Sequence, residues 1–282
     1  MTSSHWKGRQ LVIATMHGKE QVLGPLMHEH FGMQVILPSD LDTDQFGTFS
    51  GEKERLGTPV EVARKKCLVA MEITGVDLGL ASEGSFGPHP DLGFITINEE
   101  YLILIDKKNN REILAKKVST DTNLAGQSVG SKDELVAFSE RVGFPEHAVI
   151  LKTDGHKERN IVKGICDPHH LMEEFERLQS KSKKVYAETD MRAMFNPKRM
   201  AVIKEAGMEL VHRMANNCIQ CKSPGFGAIS AEPGLPCKGC GFPTSSILYL
   251  VRACSVCGYS DHQYYPKDLR YEDPQYCNIC NP

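Results

Sequence analysis

Leu11-Val-Ile-Ala-Thr15-Met-His-Gly18-Lys19 is the stretch of sequence that decides the fold, because it changes from an apolar, β-rich run into a glycine turn. The apolar run predicts a buried strand. The periodic apolar positions of residues 19–31 predict a helix that ends at Gly32. A strand that leads through a glycine turn into a helix is typical of α/β domains.

The same alternation continues along the chain and predicts an α/β domain over residues 1–216. Further strands are predicted at residues 33–37, 77–82, 101–105, 112–115, 148–151 and 161–165. Further helices are predicted at residues 58–74, 131–141, 167–179 and 196–214, because each of these begins with a residue that favours helix caps.

The composition limits the classes of function. The chain of 282 residues has 33 Lys and Arg against 36 Asp and Glu, so its formal net charge is −3. This balance argues against a protein that coats nucleic acid by bulk electrostatics. There is no run of 18 apolar residues, and the sequence begins without the apolar stretch of a secretion signal. We therefore expect a cytoplasmic protein without a membrane partner.

The cysteines mark a second domain at residues 217–282. Eight of the ten cysteines form four Cys-x-x-Cys pairs: Cys218/Cys221, Cys237/Cys240, Cys254/Cys257 and Cys277/Cys280. Paired thiolates in a reducing cytoplasm are typical of metal ligands, and a disulfide-rich tail is the alternative. Since four thiolates close one tetrahedral zinc site, the pairs predict a zinc-ribbon tail with two structural zinc ions.

The spacing of the pairs indicates which of them share an ion without deciding it. Fifteen residues separate the first two pairs and nineteen separate the last two, and both gaps suit a zinc site. The middle gap of thirteen residues fits less well. The tail has five basic and five acidic residues, so nucleic acid is not favoured as a partner. Its tyrosines are interpreted as core or docking residues, with base stacking as the alternative.

The turn after the first strand is a candidate phosphate site. Thr15 offers a hydroxyl, Gly18 lets the backbone come close, and Lys19 adds a positive charge beside a helix N-terminus. His17 lies in the same turn and is a further candidate for substrate binding. The alternative is a common strand–turn–helix connection with a solvated Lys19.

The predicted helix at residues 58–74 carries a second candidate. Glu61 and Lys65 lie four residues apart, which suits a magnesium-binding carboxylate beside a phosphate-binding lysine. The alternative is a capping box, in which Glu61 completes the helix start after Thr58, together with a surface ion pair.

Two further segments carry an unusual polar load. Ser82, Glu83, Gly84 and Ser85 follow a predicted strand, at the edge where α/β sheets bind ligands; a tight turn is the alternative. Residues 188–199 combine cations with an aromatic ring at a helix start, which suits a bound anion and a stacked base; an ion-paired loop is the alternative. The candidate residues of this second segment are Arg192, Asn196, Lys198 and Arg199, with Phe195 as the stacking ring.

Together these segments resemble the inosine-triphosphatase and Maf-like superfamily of nucleotide pyrophosphatases. Thr15-Met-His-Gly-Lys19 resembles that family's Thr-x-Asn-x-x-Lys loop, and residues 57–65 resemble its Gly-x-x-x-Glu-Asn-Ala-x-x-Lys helix. The strand that ends in Glu83-Gly84 resembles its strand ending in an acid and a glycine, and residues 196–201 are loosely similar to its Ser-His-Arg segment. The chain departs from these patterns at His17, at the early Lys19 and at Val62, where the family has Asn.

The resemblance implies a fold, a reaction and a partner. The fold is a twisted mixed sheet flanked by helices, with a ligand cleft. The reaction is Mg²⁺-dependent hydrolysis of a nucleoside triphosphate to monophosphate and pyrophosphate, with Lys19, Glu61 and Glu83 as catalytic residues and Glu61 and Glu83 as magnesium ligands. The partner is a nucleotide or another phosphorylated small molecule.

The zinc tail makes the chain similar to an uncharacterised bacterial family, and it leaves a second function open. In that alternative the chain is a non-catalytic module that binds a nucleotide or an RNA end and docks through its zinc ribbon. The sequence is compatible with a homodimer and does not fix the oligomeric state.

Overall fold

The computed structural model describes residues 5–39, 41–42, 57–89, 92–153, 160–182 and 184–282. These residues form two compact units. The α/β unit comprises residues up to 110 and residues 114–211, and the cysteine-rich unit comprises residues 111–113 and 212–282. The division falls five residues before the predicted boundary at residue 216.

A five-stranded mixed sheet forms the first layer, in the order β2-β1-β3-β4-β5. Its strands are β1 (Gln10–Ala14), β2 (Gln34–Ile36), β3 (Leu78–Pro88), β4 (Thr96–Asp106) and β5 (Arg111–Ser119). Strand β1 runs parallel to β2 and β3, whereas β3 and β4 are antiparallel. Strand β1 lies between β2 and β3, and its Leu11, Val12 and Ile13 are buried in the apolar core.

A second, four-stranded sheet was not expected. It is antiparallel, in the order β6-β9-β7-β8. Its strands are β6 (Gly126–Val129), β7 (Val149–Thr153), β8 (Ile161–Ile165) and β9 (Val185–Thr189). The α/β class is confirmed, whereas β6 and β9 were not predicted, because strands of four and five residues give only a weak sequence pattern.

Four of the five helices in the described part of the chain begin at the cap residues that the sequence predicts. The five helices are α1 (Glu20–Phe31), α2 (Pro59–Thr74), α3 (Lys132–Val142), α4 (Pro168–Gln179) and α5 (Pro197–Ala215). The side chains of Thr58, Ser131 and Asp167 each accept a hydrogen bond from a backbone N–H of the first turn. These bonds satisfy donors that have no partner within the helix, which explains the starts of α2, α3 and α4.

Helix α2 packs closely on β3 through a glycine. A Cβ added at Gly79 would lie 2.6 Å from the Cys67 sulfur and 2.7 Å from Cγ of Met71. Cys67 and Met71 are buried on the inner face of α2. Each such side chain contributes roughly 1.5–3 kcal/mol by its burial, so the close approach stabilises this layer.

Strand β3 is longer than the sequence predicted. The apolar pattern predicts an end at Ser82 followed by a loop, but the strand continues to Pro88. It does so because β4 begins at Thr96, five residues before its predicted start, and pairs with β3 along its whole length. The pairing of β1 with β3 stops at Ala14 and Ala81, so the rest of β3 extends past the end of β1.

The cysteine-rich unit contains a three-stranded antiparallel sheet in the order β10-β11-β12. Its strands are β10 (Gly227–Pro233), β11 (Ile247–Ala253) and β12 (Ser260–Tyr264). Within the described ranges of the chain, no helix is both long enough and apolar enough to cross a membrane.

Candidate functional site

The turn after β1 directs a lysine inward. Gly18 has a φ of 72°, a conformation that favours glycine, and the Thr15 hydroxyl accepts a hydrogen bond from the His17 N–H at 3.2 Å. Lys19 then buries its side chain and donates from Nζ to the Ser82 hydroxyl at 2.8 Å. Two residues that the sequence singled out, Lys19 and Ser82, are thus in contact.

A buried ion pair links α2 to β3 next to this contact. Lys66 Nζ lies 2.6 Å from Glu83 Oε2, and both side chains are at most 10% exposed. Burial alone would raise the pKa of Glu83, but the combined charges of Lys66, Lys19 and Arg199 outweigh it and lower the pKa. Glu83 is therefore held as a carboxylate.

The structure places Glu61 and Lys65 elsewhere. Both side chains are exposed. Glu61 Oε2 accepts hydrogen bonds from the Thr58 backbone N–H at 2.8 Å and from its hydroxyl at 3.0 Å, which completes a capping box. These hydrogen bonds lower the pKa of Glu61. These contacts match the alternative interpretation, in which Glu61 caps the helix start.

A second buried ion pair lies on the opposite face of β3. Arg199 Nε donates to Glu100 Oε1 at 2.7 Å, and the two side chains are 1% and 0% exposed. A Cβ on Gly84 would lie 2.4 Å from Arg199 Nη2 and 2.6 Å from Glu100 Oε1, so this pair fits only over a glycine. Glu100 is directly opposite Gly84 in the sheet register.

We call Lys19, Lys66, Glu83, Glu100 and Arg199 the charged cluster. Its members are buried in one unit, at the end of β1. Burial and the neighbouring Arg199 lower the pKa of Lys19 to about 7, although Glu100 and Glu83 oppose this shift. The three cations of the cluster outnumber its two carboxylates.

Two side chains border the charged cluster. Burial, followed by the charges of Lys19, Arg199 and Arg192, lowers the pKa of His17 to about 3, so its imidazole is neutral at physiological pH. Arg192 lies over the Phe195 ring at 4.6 Å. Its Nη2 donates to Asp190 Oδ2 at 2.6 Å, which fixes the plane of the guanidinium group.

The remaining predicted residues have structural contacts. Asn196 is buried, and its Oδ1 accepts the Arg199 backbone N–H at 3.0 Å at the start of α5. Lys198 is exposed and forms an ion pair with Asp121. Ser85 is half-buried on β3, opposite Glu99.

Lys66 and Glu100 were not predicted as site residues, although a sequence pattern marks each of them. In the motif Ala-x-x-Lys, counted from Ala63, the lysine falls at residue 66 and not at residue 65. Strand periodicity extended backwards from Leu104 and Leu102 places Glu100 on the same face of β4.

The four Cys-x-x-Cys pairs form two groups. Cys218, Cys221, Cys254 and Cys257 form the first group, and Cys237, Cys240, Cys277 and Cys280 form the second. The sulfur atoms of each group lie within 4.8 Å of one another, so each group could hold a metal ion. Two sulfurs of the first group, those of Cys218 and Cys257, are 3.7 Å apart.

The first and third Cys-x-x-Cys pairs thus form one group, and the second and fourth form the other. The gap lengths in the sequence favour groups made of neighbouring pairs instead. Strand β10 runs from the first pair to the second, and the antiparallel β11 returns to the third. Strand β12 reverses again towards the fourth. Because each antiparallel strand reverses direction, alternate pairs meet at the same end of the sheet.

The pairs share one local geometry. The backbone N–H of the residue after the second cysteine donates to the carbonyl of the first cysteine, as from Lys222 to Cys218 at 2.9 Å and from Gly241 to Cys237 at 2.9 Å. Lys222, Gly241 and Gly258 have φ values of 60°, 74° and 74°. A hydrogen bond from the Ser223 side chain lowers the pKa of Cys221 to about 6. The hydrogen bond from the Tyr259 backbone would lower the pKa of Cys257 in the same group, but desolvation and the neighbouring sulfurs outweigh it and raise that pKa.

The first group also has an apolar cover. Cys218 and Cys254 are buried with Phe226, whose ring centroid lies 5.8 Å from that of Tyr259. The Arg252 guanidinium lies over the Phe226 ring at 5.3 Å.

These features define an α/β protein with a buried charged cluster, followed by a cysteine-rich unit with two four-cysteine groups. The chain belongs to the family described as Domain of unknown function (DUF6671), whose sequence model matches residues 66–282. The match includes Lys66, Glu83, Glu100 and Arg199, together with all eight paired cysteines. A comparison with curated proteins found no match.

Proposed function

We propose that the α/β unit binds a nucleoside triphosphate at the charged cluster and hydrolyses it to a monophosphate and pyrophosphate. One observation carries the proposal. Lys19 is buried against a hydroxyl group and forms no ion pair with a described residue, beside two carboxylates that each already have a cation. A buried ammonium group without a counter-ion is costly, so the site favours an anion.

The nucleotide would extend from the charged cluster towards Arg192 and Phe195. The phosphates would bind Lys19, Lys66 and Arg199, whose positive charges would balance the negative charge of a triphosphate. The Arg192–Phe195 pair would then contact the base by stacking. The expected ligand cleft would open between these two sets of residues.

Glu100 is our candidate for the base of the hydrolysis. Its Oε2 is buried and accepts no hydrogen bond from the described residues, while its Oε1 accepts one from Arg199. Oε2 would accept a proton from the attacking water, and the hydroxide would displace pyrophosphate at the α-phosphorus.

The residues expected to hold Mg²⁺ do not fit that ion as they stand. Glu61 is engaged with Thr58 in the capping box, and Glu83 is engaged with Lys66. Magnesium requires carboxylate oxygens that are not already neutralised. In the proposed reaction, Mg²⁺ therefore takes part in no step.

Pyrophosphate release from a panel of standard and damaged nucleoside triphosphates tests the proposal, with Mg²⁺ and with EDTA. We expect turnover of at least one substrate and a loss of about 10–100-fold in kcat/KM for Lys19→Met, the worth of a charged hydrogen bond. Lys204→Met, on the exposed face of α5, is the matched control. If the folded protein releases pyrophosphate from none of these substrates, the proposed hydrolysis is rejected.

A second candidate is a module that binds the same anion without turnover. The Lys66–Glu83 pair favours it, because an ion pair neutralises a carboxylate that a pyrophosphatase would need for metal binding. Nucleotide binding without pyrophosphate release would support this candidate.

Zinc is the metal that we propose for both cysteine groups. Four thiolates are the usual ligands of structural zinc, and Zn–S bonds of about 2.3 Å place neighbouring sulfurs about 3.8 Å apart. Within each group, two sulfur–sulfur distances between one Cys-x-x-Cys pair and the other, from 3.6 to 3.8 Å, agree with that value. Metal analysis of the purified protein should find two zinc ions per chain.

A further inference from the structure

We propose that the Lys66 ammonium takes the place of a divalent metal at Glu83, so that the chain binds the phosphates of its ligand without Mg²⁺. This inference rests on the proposed function for the identity of the ligand. It assigns to Lys66 a role that a metal ion has in the pyrophosphatases that the chain resembles.

The Lys66 ammonium group lies at the carboxylate oxygen of Glu83 that a metal ion would bind. Lys66 Nζ lies 2.6 Å from Glu83 Oε2, and both groups are shielded from water. A cation bound to this carboxylate oxygen would have to displace the ammonium group or share the oxygen with it. Sharing places a divalent charge next to a buried lysine, which is strongly unfavourable in a medium of low dielectric constant.

The charges of the cluster favour an anion. Glu83 pairs with Lys66 and Glu100 with Arg199, and Lys19 adds a third cation. The cluster is therefore already suited to an anion before any metal arrives. Magnesium that accompanies bound phosphates is held by one or two carboxylates, whereas both carboxylates of the cluster are already paired with a protein cation.

Other groups that could hold a metal ion are few among the described residues. Within the described part of the chain, the only groups of three or more His, Cys, Asp or Glu residues that could hold an ion are the two cysteine groups. Glu61, the other expected magnesium ligand, is exposed at the start of α2 and closes its capping box. The phosphates thus have protein cations at hand, and these can neutralise them directly.

Calorimetric titration with inorganic pyrophosphate tests the inference, with excess EDTA and with excess MgCl₂. We expect wild-type protein to bind equally well in both buffers. Lys66→Met should weaken binding at least tenfold in EDTA and should recover part of it with MgCl₂, because Glu83 then lacks its ammonium partner. Lys66→Arg keeps the charge and should bind in EDTA. Lys204→Met is the surface control.

Several outcomes would overturn the inference. Wild-type binding that requires MgCl₂ would do so and would leave the proposed function standing. Binding in EDTA that Lys66→Met does not weaken would show that another group neutralises the phosphates. No binding in either buffer would overturn both proposals. If Lys66→Met does not fold, the double variant Lys66→Met/Glu83→Leu removes both charges and should lose binding in EDTA without recovery by MgCl₂.

Discussion

At the scale of single residues, the buried pair of Lys66 and Glu83 has an energetic consequence that is independent of function. Lys66→Met should destabilise the α/β unit by about 3 kcal/mol, because it leaves a buried carboxylate without its partner. Replacing both residues in Lys66→Met/Glu83→Leu should restore most of this loss. Urea unfolding followed by fluorescence of the single tryptophan, the buried Trp6, measures both effects. Equal stabilities of the single and double variants would contradict this account.

The acid sensitivity of the same pair has a definite sign. The pKa of Glu83 is lowered in the folded state, so its contribution to stability is present above the unfolded pKa of about 4.3. It is lost as the pH falls through the folded pKa. Lys66→Met should therefore show a smaller loss of stability than wild type when the pH is lowered from 5 to 3, a comparison that urea unfolding at each pH provides.

Lys19 should make anion binding depend on pH near neutrality. Its pKa is lowered to about 7, so it loses its charge as the pH rises through that value. Sulfate binding should weaken by up to about tenfold per pH unit above pH 7, since binding then requires proton uptake. Sulfate does not titrate in this range, and neither does His17, whose pKa is lowered to about 3.

Lys19→Met is the control for that titration. It should bind sulfate weakly, and with little dependence on pH between 6 and 8. A wild-type profile that is equally flat would show that Lys19 does not contact the anion.

At the scale of the element, alanine substitutions at three glycines of β3 can distinguish an effect on packing from an effect on ligand binding. Gly79→Ala would force Cβ against Cys67 and Met71 and should cost about 1–3 kcal/mol of stability. Gly84→Ala would displace the Arg199–Glu100 pair and should abolish pyrophosphate binding. Gly87→Ala is the matched control, because no atom lies within 4 Å of its added Cβ. Unfolding curves and calorimetry on the three variants test this order, and intact binding by Gly84→Ala would contradict it.

Local signals in the sequence were sufficient for some elements and not for others. The caps at Thr58, Ser131 and Asp167 predict their helices because a cap depends on a few adjacent residues. Strands β6 and β9 were missed, since a short strand is stabilised by its neighbours in the sheet. The same reason explains the continuation of β3 to Pro88, which depends on the register with β4.

The candidate site was predictable in part for the same physical reason. Lys19, Ser82 and Glu83 follow strands, where turns and sheet edges collect polar groups. The partner of Glu83 depends on which face of α2 meets the sheet, and a one-residue difference separates the buried Lys66 from the exposed Lys65. The pairing of the cysteines depends on strand direction, which gap lengths do not encode.

At the scale of the whole molecule, the two units differ in what can stabilise them: the α/β unit has an apolar core, and the cysteine-rich unit has two groups that could hold metal ions. If the proposed zinc ions are bound, chelation should unfold the cysteine-rich unit, because a structural zinc contributes roughly 10–16 kcal/mol of apparent binding free energy. The Trp6 signal should persist, since that residue belongs to the core of the α/β unit. Parallel measurements of tryptophan fluorescence and of tyrosine circular dichroism during titration with a chelator test this. Simultaneous loss of both signals would contradict it.

Paired substitutions can test the alternate pairing of the cysteines. Cys218→Ser/Cys254→Ser removes two ligands of one group and should leave one metal ion per chain. Cys218→Ser/Cys237→Ser removes one ligand from each group and should lower the affinity of both ions. Metal analysis after dialysis distinguishes the two variants, and the reverse result would show that neighbouring pairs share an ion.

The alternate pairing also has a consequence for the order of events during synthesis. Of the eight paired thiols, the first four to leave the ribosome are those from Cys218 to Cys240, and they belong to two different groups. Cys254 follows fourteen residues later, about 1–3 s at ordinary rates of translation. A metal ion captured in that interval is held by the wrong four thiolates. The native arrangement then requires two of them to be exchanged for cysteines that have only just been made.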